Sequence, residues 1–140
     1  MNKTIKSLTV FVLMLTIASL GAFARAEAIS MMAAKANLKA IATLNLTKDG
    51  LSIQARGLKP KSVYTVWLVN MEPQKSEAGA GTMPYMFKTD SKGKGNYEAS
   101  LSESPFGKWQ MVMVMLHSDG NPKNMKSMVE ALSAKIPDTG

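Results

Sequence analysis

The feature that most constrains this chain is a period-two alternation of apolar and polar side chains, broken by turn signals, between residues 38 and 136. In residues 38–47, leucine and alanine alternate with mostly polar residues, which puts one apolar face on a half-buried strand. Asp49-Gly50 then supplies the positive φ that a tight hairpin needs. No helical period persists for three turns after residue 37, so the pattern predicts an all-β domain.

Seven segments show strand signals, and short connections join most of them. They cover residues 38–47, 51–55, 63–69, 85–89, 96–101, 108–117 and 129–136. The segment 63–69 (VYTVWLV) is apolar on both faces, as expected of a central strand. We therefore predict a seven-stranded antiparallel immunoglobulin-like β-sandwich, with a small barrel as the alternative. Its core should include Leu44, Ile53, Trp67, and Val66 or Leu68.

The first 26 residues carry the signals of a secretory signal peptide. Lys3 and Lys6 give a positively charged start, residues 8–20 form an uncharged apolar run, and Ala24-Arg25-Ala26 offers small residues for cleavage. An uncleaved membrane anchor is the alternative, because the uncharged stretch approaches the ~17 residues that a spanning helix needs. The small residues that follow the apolar run favour cleavage, so we expect a periplasmic or secreted protein.

Cleavage divides the chain into four parts. We expect a signal peptide in residues 1–26, a loosely ordered leader in 27–37, the sandwich domain in 38–137 and a short tail in 138–140. We expect no stable membrane insertion after cleavage.

Composition excludes several classes of site. The chain has no cysteine, which rules out disulfides, thiol catalysis, thiolate metal sites and a lipid-anchored lipoprotein. Three of the 17 basic residues leave with the signal, so 14 remain against 10 acidic residues. The remaining lysines flank turns instead of forming a stripe with interleaved aromatic residues, so we expect no nucleic-acid partner.

Two motifs resemble a known family. The run Gly57–Val69 (GLKPKSVYTVWLV) is similar to the G-L-x-P-G-x-x-Y-x-x-W-L-V signature of the outer domain of extracytoplasmic anti-sigma-K-factor-type proteins. The segment Phe87-Lys88-Thr89-Asp90 with Gly93 or Gly95 is similar to that family's F-x-x-D-x-x-G turn. These are turn and core positions, so the resemblance implies a stand-alone extracytoplasmic β-sandwich.

The sequence departs from the family pattern in three ways. Lys61 stands where the signature has glycine, and residues 117–123 replace a final acidic, glycine-rich hairpin. Such membrane anti-sigma factors also have a cytoplasmic helical domain and a spanning helix ahead of this module, whereas this sequence has a signal peptide there. We therefore do not carry sigma-factor binding over to this chain.

The strongest candidate for ligand chemistry is the segment Lys108–His117 (KWQMVMVMLH). On a strand, residues two apart share a face, so Trp109, Met111, Met113, Met115 and His117 should lie together. Thioether and imidazole ligands suit Cu(I). Met113, Met115 and His117 are therefore candidate copper ligands, and Met83 or Met86 could join them from the long irregular stretch 70–84 or the strand after it. We expect no cofactor other than this copper.

Packing is the alternative explanation of the methionines, because methionine fills irregular gaps in cores and forms adaptable binding surfaces. An enzyme has little support, since His117 is the only histidine and the acidic residues sit singly near turns. We expect an exported, non-enzymatic binding or structural module whose partner is a protein or another envelope component. A periplasmic Cu(I)-binding protein is the alternative.

Overall fold

The computed structural model describes residues 27–139, and this part of the chain folds as ten strands with two short 3-10 turns. The 3-10 turns are Lys35–Asn37 and Met125–Ser127. The strands are β1 (Glu27–Ser30), β2 (Met32–Ala33), β3 (Ile41–Thr47), β4 (Gly50–Arg56), β5 (Val63–Asn70), β6 (Ser76–Gly79), β7 (Met86–Lys88), β8 (Gly95–Ser100), β9 (Met111–His117) and β10 (Met128–Lys135).

The strands form two antiparallel sheets packed as a sandwich. The smaller sheet has four strands in the order β1-β3-β4-β8, and the larger has six, in the order β2-β10-β9-β5-β6 with β7 also paired to β5. Strand β5 is central because β9 pairs along one edge while β6 and β7 share the other. The all-β sandwich predicted from the alternation is confirmed.

The number of strands differs from the prediction, with ten in residues 27–139 instead of seven. The three additional strands are β1, β2 and β6, which have four, two and four residues. Such short edge strands obtain their order from pairing with a longer neighbour, and so their sequences show little alternation. Residues 27–37, expected to be a loose leader, thus place β1 against β3 and β2 against β10.

Aliphatic side chains from the facing surfaces of the two sheets form the core. Leu44, Ile53, Val66 and Leu68 are buried as predicted. Tyr64 stacks on Phe87 within this layer, with ring centroids 5.4 Å apart. Trp67 was expected in the core, but it is half-buried on the outer face of β5, because the side chains of a strand alternate between faces.

Strand β9 begins at Met111, three residues later than predicted. Trp109 precedes the strand, its N–H donates to the carbonyl of Pro105, and its side chain packs against the core. It therefore does not share a face with Met111, and that part of the prediction was wrong.

The predicted signal peptide, residues 1–26, lies outside the described residues. Within residues 27–139, the structure contains no helix with the length and apolar character to cross a membrane.

Candidate functional site

Methionine is concentrated on the outer face of the six-stranded sheet. Antiparallel partners directly opposite each other present their side chains on the same face, so the pairing register places each residue. Among residues 27–139 there are ten methionines, and six belong to this face: Met32, Met86, Met111, Met113, Met115 and Met128. We call this surface the methionine face. His117, Thr65 and Trp67 lie on it as well.

The sandwich core contains a single methionine among the described residues, Met31, and is otherwise built from leucine, isoleucine, valine, alanine and aromatic side chains. Methionine is therefore not the filler of this core. Met111, Met113 and Met115 are each half-buried on the outward side of β9, whereas Val112 and Val114, between them, are fully buried on the inward side.

His117 ends the methionine row on β9 and is 1% exposed. Its Nε2 atom lies 2.7 Å from the Thr65 hydroxyl on the neighbouring strand β5. The indole N–H of Trp67 donates to the same hydroxyl at 2.8 Å. The Nδ1 atom of His117 is buried and has no hydrogen-bond partner within residues 27–139. The imidazole ring is thus held through Nε2, while Nδ1 has no partner among these residues.

Met128 is the methionine nearest to this histidine in the pairing scheme. It lies directly opposite His117 on β10, and its sulfur is 3.9 Å from the Thr65 hydroxyl. Met115 is two residues from His117 on the same strand face, a separation of about 6.6–6.8 Å along the strand. Thioether sulfur and imidazole nitrogen are therefore concentrated around Thr65.

The predicted metal ligands are only partly brought together. Met113, Met115 and His117 share the face, and Met86 joins it because it pairs with Thr65. Met113 and His117 are four residues apart, however, or about 13 Å along the strand, which is a long way for two side chains to share one ion. Met83 lies on the loop between β6 and β7 and is 73% exposed, with no strand pairing to hold it at the site.

Two residues of the site were missed from the sequence. Met128 was left out because the last strand was expected to begin at Val129, yet Met128 keeps the period-two spacing with Glu130. Thr65 was read as part of an apolar segment. The sequence could have indicated Thr65, because a lone polar residue inside a buried strand needs a hydrogen-bond partner.

Charged side chains lie around the site. Glu130 lies opposite Met115 on the methionine face, so a carboxylate is close to the sulfurs. Lys88, opposite Val63, and Lys135, opposite Met111, lie on the same face. His117 also borders a surface depression whose lining includes Lys59, Lys61, Lys88 and Asp119, so charges of both signs surround the site.

The turn after β9 is held by the Asp119 carboxylate. The backbone N–H of Asn121, the Asn124 amide and the Ser127 hydroxyl all donate to it, and these bonds hold the pKa of Asp119 below its ordinary value. Since its lone pairs are engaged within the turn, this carboxylate serves structure. Across residues 27–139, no cluster of three histidine, aspartate or glutamate side chains is arranged to hold a metal.

Comparisons with protein-family models, with curated proteins and with solved structures found no match to the chain. The resemblance to the anti-sigma-K-factor-type outer domain thus stays a prediction.

Proposed function

We propose that this protein is an exported, non-enzymatic binding module that holds Cu(I) on the methionine face. The observation that carries the proposal is the segregation of methionine: six of the ten methionines in residues 27–139 share this face with the single histidine, whereas the core contains one, Met31. Soft thioether donors suit Cu(I), and they need no deprotonation to bind it.

The proposal also includes export of the protein and an immunoglobulin-like fold. Export would place the domain in the periplasm or outside the cell, where a cysteine-free Cu(I) site cannot be lost to disulfide formation. The finer fold assignment, immunoglobulin-like, is supported by the neighbouring order β10-β9-β5, which corresponds to the G-F-C order of that fold. With β5 in the place of strand C, the hairpin β3–β4 corresponds to strands A and B, which share the other sheet, and β8 pairs with β4 as E pairs with B.

The competing explanation of the methionine face is a packed apolar layer or an adaptable surface for another protein. Titration with Cu(I) distinguishes a metal site from a packed layer or a protein-binding surface. Residues 27–140 are titrated with Cu(I) in the absence of oxygen, against a chromophoric Cu(I) chelator as competitor. We expect one ion per chain, and we expect the double variant Met113→Leu/Met115→Leu to lose binding. Because Met-to-Leu exchanges usually cost less than ~1.5 kcal/mol, its fold should persist and is checked by circular dichroism.

Met71→Leu is the matched control, because Met71 is exposed and lies beyond the end of β5. It should bind Cu(I) as the parent chain does. A parent chain that leaves all Cu(I) with the competitor contradicts the proposal and favours the packing or protein-contact reading. Catalytic turnover that disappears on replacing His117 would contradict its non-enzymatic part.

A further inference from the structure

We infer that the Cu(I) centre consists of the sulfurs of Met115 and Met128 together with Nδ1 of His117, and that Thr65 is the positioning residue that fixes the imidazole. This inference rests on the proposed function and specifies its ligands. Of the sequence-based prediction it keeps Met115 and His117, and it replaces Met83, Met86 and Met113 with a residue from β10.

The strand register supports this set of ligands. Met128 is the direct cross-strand partner of His117, and such partners have Cβ atoms about 4.5–5.5 Å apart. Met115 is the next residue on the same face of β9, and it is diagonal to Met128, at about 7–8 Å. Both distances are within reach of long, flexible methionine side chains, so the three donor atoms can converge on one ion.

The free nitrogen of His117 identifies the coordinating atom. Buried polar atoms without a partner are rare in native proteins and require an explanation. Nδ1 is such an atom within residues 27–139, whereas Nε2 is engaged by Thr65 at 2.7 Å. Coordination of a metal ion by the Nδ1 lone pair would explain why this buried nitrogen accepts no hydrogen bond.

Thr65 determines which tautomer presents that lone pair. Its hydroxyl already accepts from the Trp67 indole, and its own proton is directed toward the Met128 sulfur at 3.9 Å. Nε2 then carries the imidazole proton and donates it to the Thr65 oxygen, which leaves Nδ1 unprotonated. The opposite tautomer would bury an N–H donor for which residues 27–139 offer no acceptor, and an unsatisfied buried donor is unfavourable.

Metal-binding histidines usually donate their second ring N–H to a fixed acceptor, which orients the ring and sets the tautomer. Thr65 is fully buried and serves as that acceptor here. The Glu130 carboxylate, opposite Met115, adds a compensating negative charge beside a monovalent cation.

The ligand set is tested by competitive Cu(I) titration of single variants. Met128→Leu should weaken binding by at least tenfold, whereas Met83→Leu, an exchange of the same chemistry on an exposed loop, should leave affinity unchanged. If the parent chain binds Cu(I) but Met128→Leu binds it equally well, this inference fails while the proposed function stands. If the parent chain does not bind Cu(I), both fail.

The positioning role is tested by imidazole ¹⁵N NMR with Ag(I), a monovalent d¹⁰ ion that is stable in air. On addition of Ag(I), we expect the Nδ1 resonance to shift while Nε2 remains protonated. Thr65→Val should lower affinity by about 10–100-fold and change the tautomer of His117, and Thr65→Ser, which keeps the hydroxyl, should restore both. A shift at Nε2, or an unchanged tautomer and affinity in Thr65→Val, overturns the inference.

Discussion

At the scale of single residues, hydrogen bonds at the turn around Asp90 connect the two motifs that resemble the anti-sigma family. The backbone N–H groups of Lys94 and Lys92 donate to the Asp90 carboxylate, and these bonds lower its pKa. Gly93 has φ +80° and accepts from the Leu58 N–H through its carbonyl. Lys61 has φ +49°, a left-handed conformation that favours the glycine of the family signature.

Gly93 is expected to be intolerant of any side chain. A Cβ atom there would lie 2.2 Å from the Leu58 carbonyl oxygen, which belongs to the backbone and cannot move aside cheaply. Gly120 is the matched control, because its φ of +76° is similar and nothing lies within 4 Å. Both alanine variants bear the ~1–2 kcal/mol cost of a left-handed conformation. In urea denaturation, Gly93→Ala should therefore lose at least ~1 kcal/mol more than Gly120→Ala, through the clash and the disturbed hydrogen bond. Equal losses would contradict the packing of this turn against Leu58.

Trp67 and Leu44 should respond to truncation in the order opposite to their sizes. Leu44 is fully buried in the core, so Leu44→Ala should cost about 2–5 kcal/mol. Trp67 is half-buried on the methionine face, with its ring centroid 5.6 Å from that of Tyr85, so Trp67→Ala should cost well under the ~3–5 kcal/mol of a buried aromatic residue. Unfolding free energies from urea titrations provide the comparison. A larger loss for Trp67→Ala would mean that the outer layer stabilises the fold more than the core does.

At the scale of elements, the long strands and the short strand β7 were predictable, whereas the short edge strands β1, β2 and β6 were not. Strands β3, β4 and β8 alternate in the sequence because each has one face toward the core and one toward solvent. Strand β9 is apolar on both faces, with valine facing the core and methionine on the methionine face. Strand β5 was found from its apolar character, but a strand with both faces covered shows no alternation. Which side Trp67 occupies therefore followed only from the pairing register.

The same limit applied to the candidate site. The row Met113, Met115 and His117 was visible because it lies within one strand. Met128 and Thr65 come from two other strands, and their contacts with His117 depend on the registers β9–β10 and β9–β5. Periodicity predicts which residues share a face of one strand, but it does not predict which strands are neighbours.

Residues 27–37 are expected to be part of the folding unit. Strand β1 covers the edge of β3 through four residue pairs, and Met31 is buried in the core. A chain that begins at Leu38 should lose at least ~2 kcal/mol, because it lacks Met31 and the pairing of both edge strands. The exposed edge of β3 should also promote association. Urea denaturation and size-exclusion chromatography of residues 38–140 against 27–140 measure both effects. Identical stability would restore the view of this segment as a loose leader.

At the scale of the whole molecule, two apolar layers have separate tasks. The apolar layer between the sheets is continuous, and it includes residues from both sheets without any contribution from the methionine face. We therefore expect the domain to fold without an ion on that face. The arrangement allows a binding surface built from flexible, half-buried methionines to adjust around an ion while the sandwich behind it stays rigid.

This separation predicts how the chain behaves with and without metal. Residues 27–140 should fold cooperatively in chelator-treated buffer, because the core is complete without an ion. Adding Cu(I) or Ag(I) to 100 times its dissociation constant should then add about 2.7 kcal/mol of stability and raise Tm by roughly 10 °C. The variant Met115→Leu/Met128→Leu should have nearly the parent Tm without metal and show no rise with it. Differential scanning calorimetry measures all four states. A chain that is unfolded until metal is added would mean that the ion completes the core. A Tm that rises equally in the double variant would place the ion elsewhere on the molecule.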